Sequence, residues 1–372
     1  RRHDSTECLS MARLARAEVF DPSEVAIVHV MARTVRRCFL LGFDPVTSRN
    51  YDHRKDWIEN KLRHLAAFMG IDLLTYALMS NHFHLILRSR PDAVANWSDE
   101  EVARRWLLLC PLRRRCRTSS REVNSNEQHI ATEPTQADID SIRNNPKKLS
   151  QIRTRLSDIS WWMRLLCQHI AQRANSEEGG GLGKFWQSRF KAVRILDEAS
   201  LLACSSYVDL NPIRAAMAEK LEDTQYNSAK CRINALAIST NNSQQYSPDG
   251  FLAPIYIDES KDPIGVHPST NLERCSDKGF LPMSSPDYLQ LLDWTARQLR
   301  KDQPGYTPED LPPILERLGL ETCEYIDQVR FFGSMFSAAA GKPQSLAEAR
   351  TLRTHRRFYV RPSARRILGI CS

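Results

Sequence analysis

The sequence predicts an α+β fold with a βαββαβ core, and three observations lead there. Short runs rich in β-branched, aliphatic and aromatic residues recur at 25–35, 73–79, 82–88 and 189–196. Two longer stretches, 53–70 and 159–175, carry apolar residues at helical spacing. The order in which strand-like and helix-like stretches alternate is strand, helix, strand, strand, helix, strand, helix.

Each element has its own signal. "VAIVHVMARTV" (25–35) is β-branched and apolar and reads as the first strand. "HRKDWIENKLRHLAAFMG" places Trp57, Ile58, Leu62, Leu65, Ala66 and Met69 at helical intervals and closes on Gly70, a C-cap residue type. "LLTYALM" and "HFHLILR" are joined by Ser80-Asn81, which predicts a β-hairpin. "ISWWMRLLCQHIAQRANS" reads as an amphipathic helix, and "FWQSRFKAVRIL" as the last strand, from Arg189. Asp197 is the expected N-cap of a short helix, "EASLLACSSYVDL". This order corresponds to a ferredoxin-like antiparallel sheet with helices on one face.

The rest of the chain is organised around that core. Residues 1–10 are polar, precede Met11 and are expected to be an upstream extension. The core domain is expected over 11–234, with an insertion at about 91–156 that contains the polar stretch "SSREVNSNEQHIATEPTQAD". Residues 235–283 read as a linker, and 284–372 as a helical C-terminal domain with a basic tail.

The chain has 372 residues, with Lys plus Arg at 52 against 44 for Asp plus Glu, a formal charge of +8. A moderate basic excess suits a polyanionic partner. It is concentrated in "PLRRRCRTSSR" at 111–121 and in the tail, where Glu348 is the only acid after Leu346. The ten cysteines are scattered, without a Cys-x-x-Cys or zinc-type spacing, and are expected to be reduced thiols in a cytoplasmic protein. No apolar run reaches membrane-spanning length.

The chemistry-bearing residues are few. In a strand, His82 and His84 share one face and Phe83 takes the other, with the imidazoles about 7 Å apart along the strand. One cation between converging rings could bind both; as a pair alone they also read as ordinary strand histidines. In "CSSYVDLNPIRAA", Tyr207 and Asn211 are spaced to share a helix face one turn apart, with Pro212 ending that helix near Asn211. Singly, Tyr207 reads as a packed tyrosine and Asn211 as a cap.

Taken in order, "NHFHLIL", "FWQSRFKA" and "YVDLNPIRAA" resemble the single-tyrosine HUH transposases, and among them the REP-associated tyrosine transposases. The His-hydrophobe-His element is His82-Phe83-His84. "GSMFSAAAGKPQSLAEAR" is similar to a C-terminal feature of longer members. The resemblance implies an enzyme that cleaves and rejoins DNA strands. Tyr207 would be the nucleophile, and His82, His84 and Asn211 the ligands of a divalent metal, Mg²⁺ or Mn²⁺. The partner implied is single-stranded DNA with a hairpin, and the protein would be a monomer or homodimer associated with the nucleoid. Arg13, Arg16, Arg36, Arg37, Arg189, Lys191 and Arg194 are the expected phosphate contacts, and Trp186 reads either as a base-stacking residue or as part of the core. A non-catalytic DNA-binding protein derived from such an enzyme is the alternative.

Overall fold

A computed structural model describes residues 19–112, 133–180, 183–239, 247–257, 265–299 and 313–351. Arg13, Arg16, the arginine run from 113 and the tail beyond 351 lie outside the described residues. The strands are β1 (Ile27–Arg33), β2 (Phe43–Asp44), β3 (Arg49–Asn50), β4 (Ile71–Leu78), β5 (His82–Ser89), β6 (Lys191–Ile195) and β7 (Ala339–Ala340). The helices before β6 are α1 (His53–Phe68), α2 (Pro91–Ala95), α3 (Asp99–Leu109), α4 (Gln136–Arg143), α5 (Pro146–Leu156) and α6 (Ile159–Glu177). After it come α7 (Glu198–Asp209), α8 (Asn211–Arg214), α9 (Ser228–Ser239), α10 (Ser285–Leu299), α11 (Pro313–Arg317), α12 (Thr322–Met335) and α13 (Pro343–Thr351).

The protein is α+β, built on a five-stranded mixed sheet in the order β4-β5-β1-β6-β7. The first four strands are antiparallel to their neighbours, and β7 adds parallel to β6. Side chains alternate between faces, so the register sorts them. Val28, Val30, Phe83, Leu85 and Leu87 lie with Leu62 and Leu65 of α1 and Trp162 and Leu166 of α6 in one buried cluster. Ile86, Val193 and Ile195 lie on the opposite face, packed with Leu202, Val208 and other residues of α7.

Helices therefore cover both faces of the sheet, which corrects the expectation of helices on one face. The reason is in the strands: Leu74, Ala77, Ile86, Val193 and Ile195 make the second face apolar too, and it must also be buried. Helices α10 and α12 then pack on α7, with Leu291, Leu292, Val329 and Phe332 in the same cluster as the sheet. The C-terminal helices thus share a core with the strands instead of forming a core of their own.

The stretch expected as a linker is also part of the packed structure where it is described. Phe251, Leu252, Ala253 and Ile255 are buried, and the Ala253 amide donates to the Leu73 carbonyl of β4 at 2.9 Å. The fully buried carboxylate of Asp72 accepts from Arg88 Nε at 2.8 Å, Arg90 Nη1 at 3.2 Å and Ser276 Oγ at 2.8 Å. Arg88 donates onward to the Gly279 carbonyl at 2.7 Å. Polar composition suggested a tether; the buried charges of β4 and β5 recruit it instead. The described part of the 91–156 insertion is helical, with α3, α4 and α5 contacting one another. Gly70 does not end α1 through a left-handed turn; a Cβ there would collide with Val94. Among the described residues, no helix is long and apolar enough to cross a membrane.

Candidate active site

Register brings the histidines together. His82 lies opposite Arg33 of β1, and His84 opposite Met31 of β1 and Ala77 of β4. Two residues further on, His29 of β1 lies opposite Ile86 and Val193 on the same face. The rings of His82 and His84 are 4.9 Å apart and nearly perpendicular, and those of His84 and His29 are stacked at 5.1 Å. His29 was missed in the sequence. Its only signal there is parity: a lone imidazole in an otherwise apolar strand core.

Hydrogen bonds assign the tautomers. Asn81 Nδ2 donates to the Arg37 carbonyl at 3.1 Å, which turns its Oδ1 toward His82 Nδ1, 2.6 Å away. An amide oxygen only accepts, so His82 carries its proton on Nδ1 and leaves Nε2 with a lone pair. His84 Nδ1 is 2.9 Å from His29 Nε2, and His84 Nε2 is buried with no hydrogen-bond partner. A buried orphan donor is rarer than a buried orphan acceptor, so the proton of His84 belongs on Nδ1, donated to His29. Both Nε2 atoms are then unprotonated.

Electrostatics keeps the rings neutral. Burial, then the charge of Arg33, lowers the pKa of His82 to about 4. Burial brings His29 to about 4 as well. His84 lies well below the usual imidazole range, chiefly through burial and next through His82 and His29.

Tyr207 reaches this face from α7. Asp197 caps that helix, accepting from the Ser200 amide at 2.8 Å, as its sequence position implies. Tyr207 stands edge-on to His84 at 5.4 Å and to His29 at 5.9 Å. The Arg214 guanidinium lies 4.6 Å over the Tyr207 ring. Burial raises the phenol pKa, while Arg214 and, more weakly, Asn211 oppose it. The helix stops at Asp209, so Asn211 starts α8 instead of completing the face of α7. Asn211 is 8% exposed, and its Nδ2 donates no hydrogen bond of regular geometry.

A second cover lies over the tyrosine. Phe332 of α12 is 5.7 Å from the Tyr207 ring and 5.9 Å from His29. A Cβ on Gly333 would stand 2.7 Å from the Tyr207 hydroxyl. Tyr207 is left 8% exposed and His84 1%.

The remaining sequence candidates separate. Arg36 and Arg37 are exposed, both with left-handed backbone (φ 50° and 61°), in the turn that follows β1. Lys191 pairs with Met31 and so lies on the histidine face, exposed. Arg194 pairs with Val28, faces the other way and is bridged to Glu24 at 3.3 Å. Trp186 is half-buried, edge-on to Phe83 at 5.5 Å. Arg189 is exposed beside it. Arg33 is a residue the sequence reading passed over: it sits in the His82 row, and its buried Nε has no hydrogen-bond partner.

The donor set fits a divalent ion in a two-imidazole site. His84 Nε2 is an orphaned buried nitrogen, His82 offers the matching lone pair, and neutral imidazoles suit Mn²⁺ better than Mg²⁺, which prefers oxygen. Among the described residues, no group of three or more His, Cys, Asp or Glu could hold a metal ion. Further ligands would have to be amide or phosphate oxygens.

No protein-family model matches the chain, and no curated protein matches it. One solved structure, described as a REP-associated tyrosine transposase bound to a REP hairpin, is 11% identical, covering 57% of this chain and 81% of that one. Its TM-score is 0.28, a weak structural likeness.

Proposed function

We propose that the protein is a metal-dependent nickase and strand-transferase acting on single-stranded DNA beside a hairpin. The observation that carries this reading is the approach of Tyr207 to the histidine pair, with its ring 5.4 Å from His84 and the His84 Nε2 unengaged. The antiparallel order β4-β5-β1-β6 supports the ferredoxin-like form of the core. The motifs "NHFHLIL" and "YVDLNPIRAA", distant in sequence, meet on one sheet face.

In this reading the Tyr207 oxygen attacks the scissile phosphorus. The bond from phosphorus to the 3′ oxygen breaks, that oxygen leaves as a 3′-hydroxyl after taking up a proton, and a 5′-phosphotyrosine link remains. A later attack by a 3′-hydroxyl on the same phosphorus frees the tyrosine and rejoins a strand. Arg214 favours the phenolate that burial disfavours. His82, His84 and the Asn211 amide would hold Mg²⁺ or Mn²⁺. The ion, when bound, supplies polarisation of the phosphate and stabilises the charge that develops on it. Arg33 stands beside His82 as a phosphate contact.

Incubation of the full chain with labelled hairpin-bearing single strands and Mn²⁺ tests this reading. A covalent protein–DNA adduct on a denaturing gel is expected, absent in His82→Ala and His84→Ala. One observation favours a second reading, a DNA-binding protein without cleavage: Phe332 and Gly333 cover the nucleophile. Hairpin binding without any adduct would select it.

A further inference from the structure

A groove of about 500 Å³ lies away from the histidine face, between α6 and the segment 186–190 that leads into β6. Its walls include Trp161, Arg164 and Cys167 of α6 and Trp186, Arg189 and Phe190 of that segment. Among the described residues that line it there is no Asp or Glu. Trp161, Trp186 and Phe190 are half-buried, while Arg164 and Arg189 are exposed. The Trp186 indole donates to the Cys167 carbonyl at 2.8 Å, which ties its ring to α6. The guanidiniums of Arg155 and Arg164 lie over the Trp161 ring at 4.5 and 4.7 Å. Fixed indoles with arginine beside and over them, and no acid among the described lining residues, match a chain of π-faced rings linked by phosphates.

The groove is also connected to the candidate active site. Thr34 bridges Trp186, the Val35 amide donates to the Phe185 carbonyl at 2.8 Å, and the Gln187 amide to the Arg33 carbonyl at 2.8 Å. On its other side Arg33 pairs with His82. From the Trp186 segment to His82 is therefore two strand spacings, about 10 Å. The exposed Arg36 and Arg37 lie just beyond, at the end of β1.

We propose that this groove binds unpaired nucleotides of the single-stranded DNA that flanks the bond presented to Tyr207. The proposal rests on the cleavage reading above and adds to it where the flanking strand lies. One base displaces the Arg164 guanidinium from the face of Trp161 and stacks there, another stacks on Trp186, and the released Arg164 meets the phosphates together with Arg189. The strand then passes the arginines of the β1 turn and enters the site from the side of His82, the less buried of the two histidines.

Fluorescence anisotropy of a labelled oligothymidylate and of a blunt DNA hairpin, titrated with the full chain, tests the proposal. Trp161→Ala should weaken oligothymidylate binding at least about fivefold, the loss expected for one base stack. Arg164→Glu, a change at an exposed position that spares the fold, should weaken it too and lower the salt slope by about one. Neither should alter affinity for the blunt hairpin. Unchanged oligothymidylate affinity in both variants overturns the proposal. So does a wild-type chain that ignores oligothymidylate but forms a dimer that Arg164→Glu dissociates, which would assign the groove to a second copy. Adduct formation separates the two readings: groove-dependent binding without an adduct removes the cleavage reading alone, and an adduct with groove-independent binding removes this one alone.

Discussion

Gly333 faces the hydroxyl of Tyr207 so closely that a methyl group on the glycine would meet the phenolic oxygen at 2.7 Å. A glycine inside a helix ordinarily costs about 1 kcal/mol relative to alanine. Here it makes room for a tyrosine from another element.

Gly333→Ala should therefore destabilise the protein by about 1–3 kcal/mol, the range for overpacking, despite the better helix former. In a Tyr207→Phe background the clash loses its oxygen and the penalty should shrink. Urea denaturation of the two single variants and the double variant measures this coupling. Additive effects would mean that the two residues do not touch.

His29 holds His84 by the 2.9 Å bond to Nδ1. His29→Leu should leave the sheet intact and lower Mn²⁺ affinity about 10–100-fold, the usual range for losing a partner of a ligating histidine. His29→Gln, which keeps an acceptor, should recover part of it. Calorimetric titration of Mn²⁺ into each variant reads this without any cleavage assay.

Asp72 lies wholly buried between Arg88 and Arg90. Asp72→Ala leaves two buried guanidiniums with fewer partners and should cost about 3–5 kcal/mol. It should also loosen the packing of 265–283 on β4, because Ser276 bonds the same carboxylate. Denaturation together with proteolysis of that segment checks both effects.

Acid should weaken the fold through its histidines. Burial lowers His29 and His64 to about 4, below the 6.5 of an unfolded histidine. Between those values the unfolded chain binds more protons, so the contribution is complete above pH 6.5 and is lost as pH falls toward 4. Urea midpoints at steps across that window should fall with pH, and less steeply in His29→Leu.

Much of the candidate site was legible because its signals are local. Alternation in "HFHLILR" placed His82 and His84 on one face, and Asp197 marked the start of α7. The boundaries at 71–78 and 82–89 follow the predicted hairpin closely. What escaped depends on contacts distant in sequence. His29 joins the histidines only through the register of β1 with β5, and Arg33 joins His82 in the same way. Residues 265–283 looked like a tether because nothing nearby in sequence announces Asp72, Arg88 and Arg90 as their partners. The cover over Tyr207 comes from Phe332 and Gly333, more than a hundred residues away, and an amphipathic helix does not name the face it will meet.

Tyr207 is the residue on which the account turns. The protein should be incubated with a labelled hairpin-bearing single strand and Mn²⁺, digested, and the nucleotide-bearing peptide identified by mass spectrometry. One modified peptide is expected, containing Tyr207, with no adduct or cleavage in Tyr207→Phe, which keeps the ring and its packing. An adduct that persists in Tyr207→Phe, or that maps to another tyrosine such as Tyr76 or Tyr226, would contradict it.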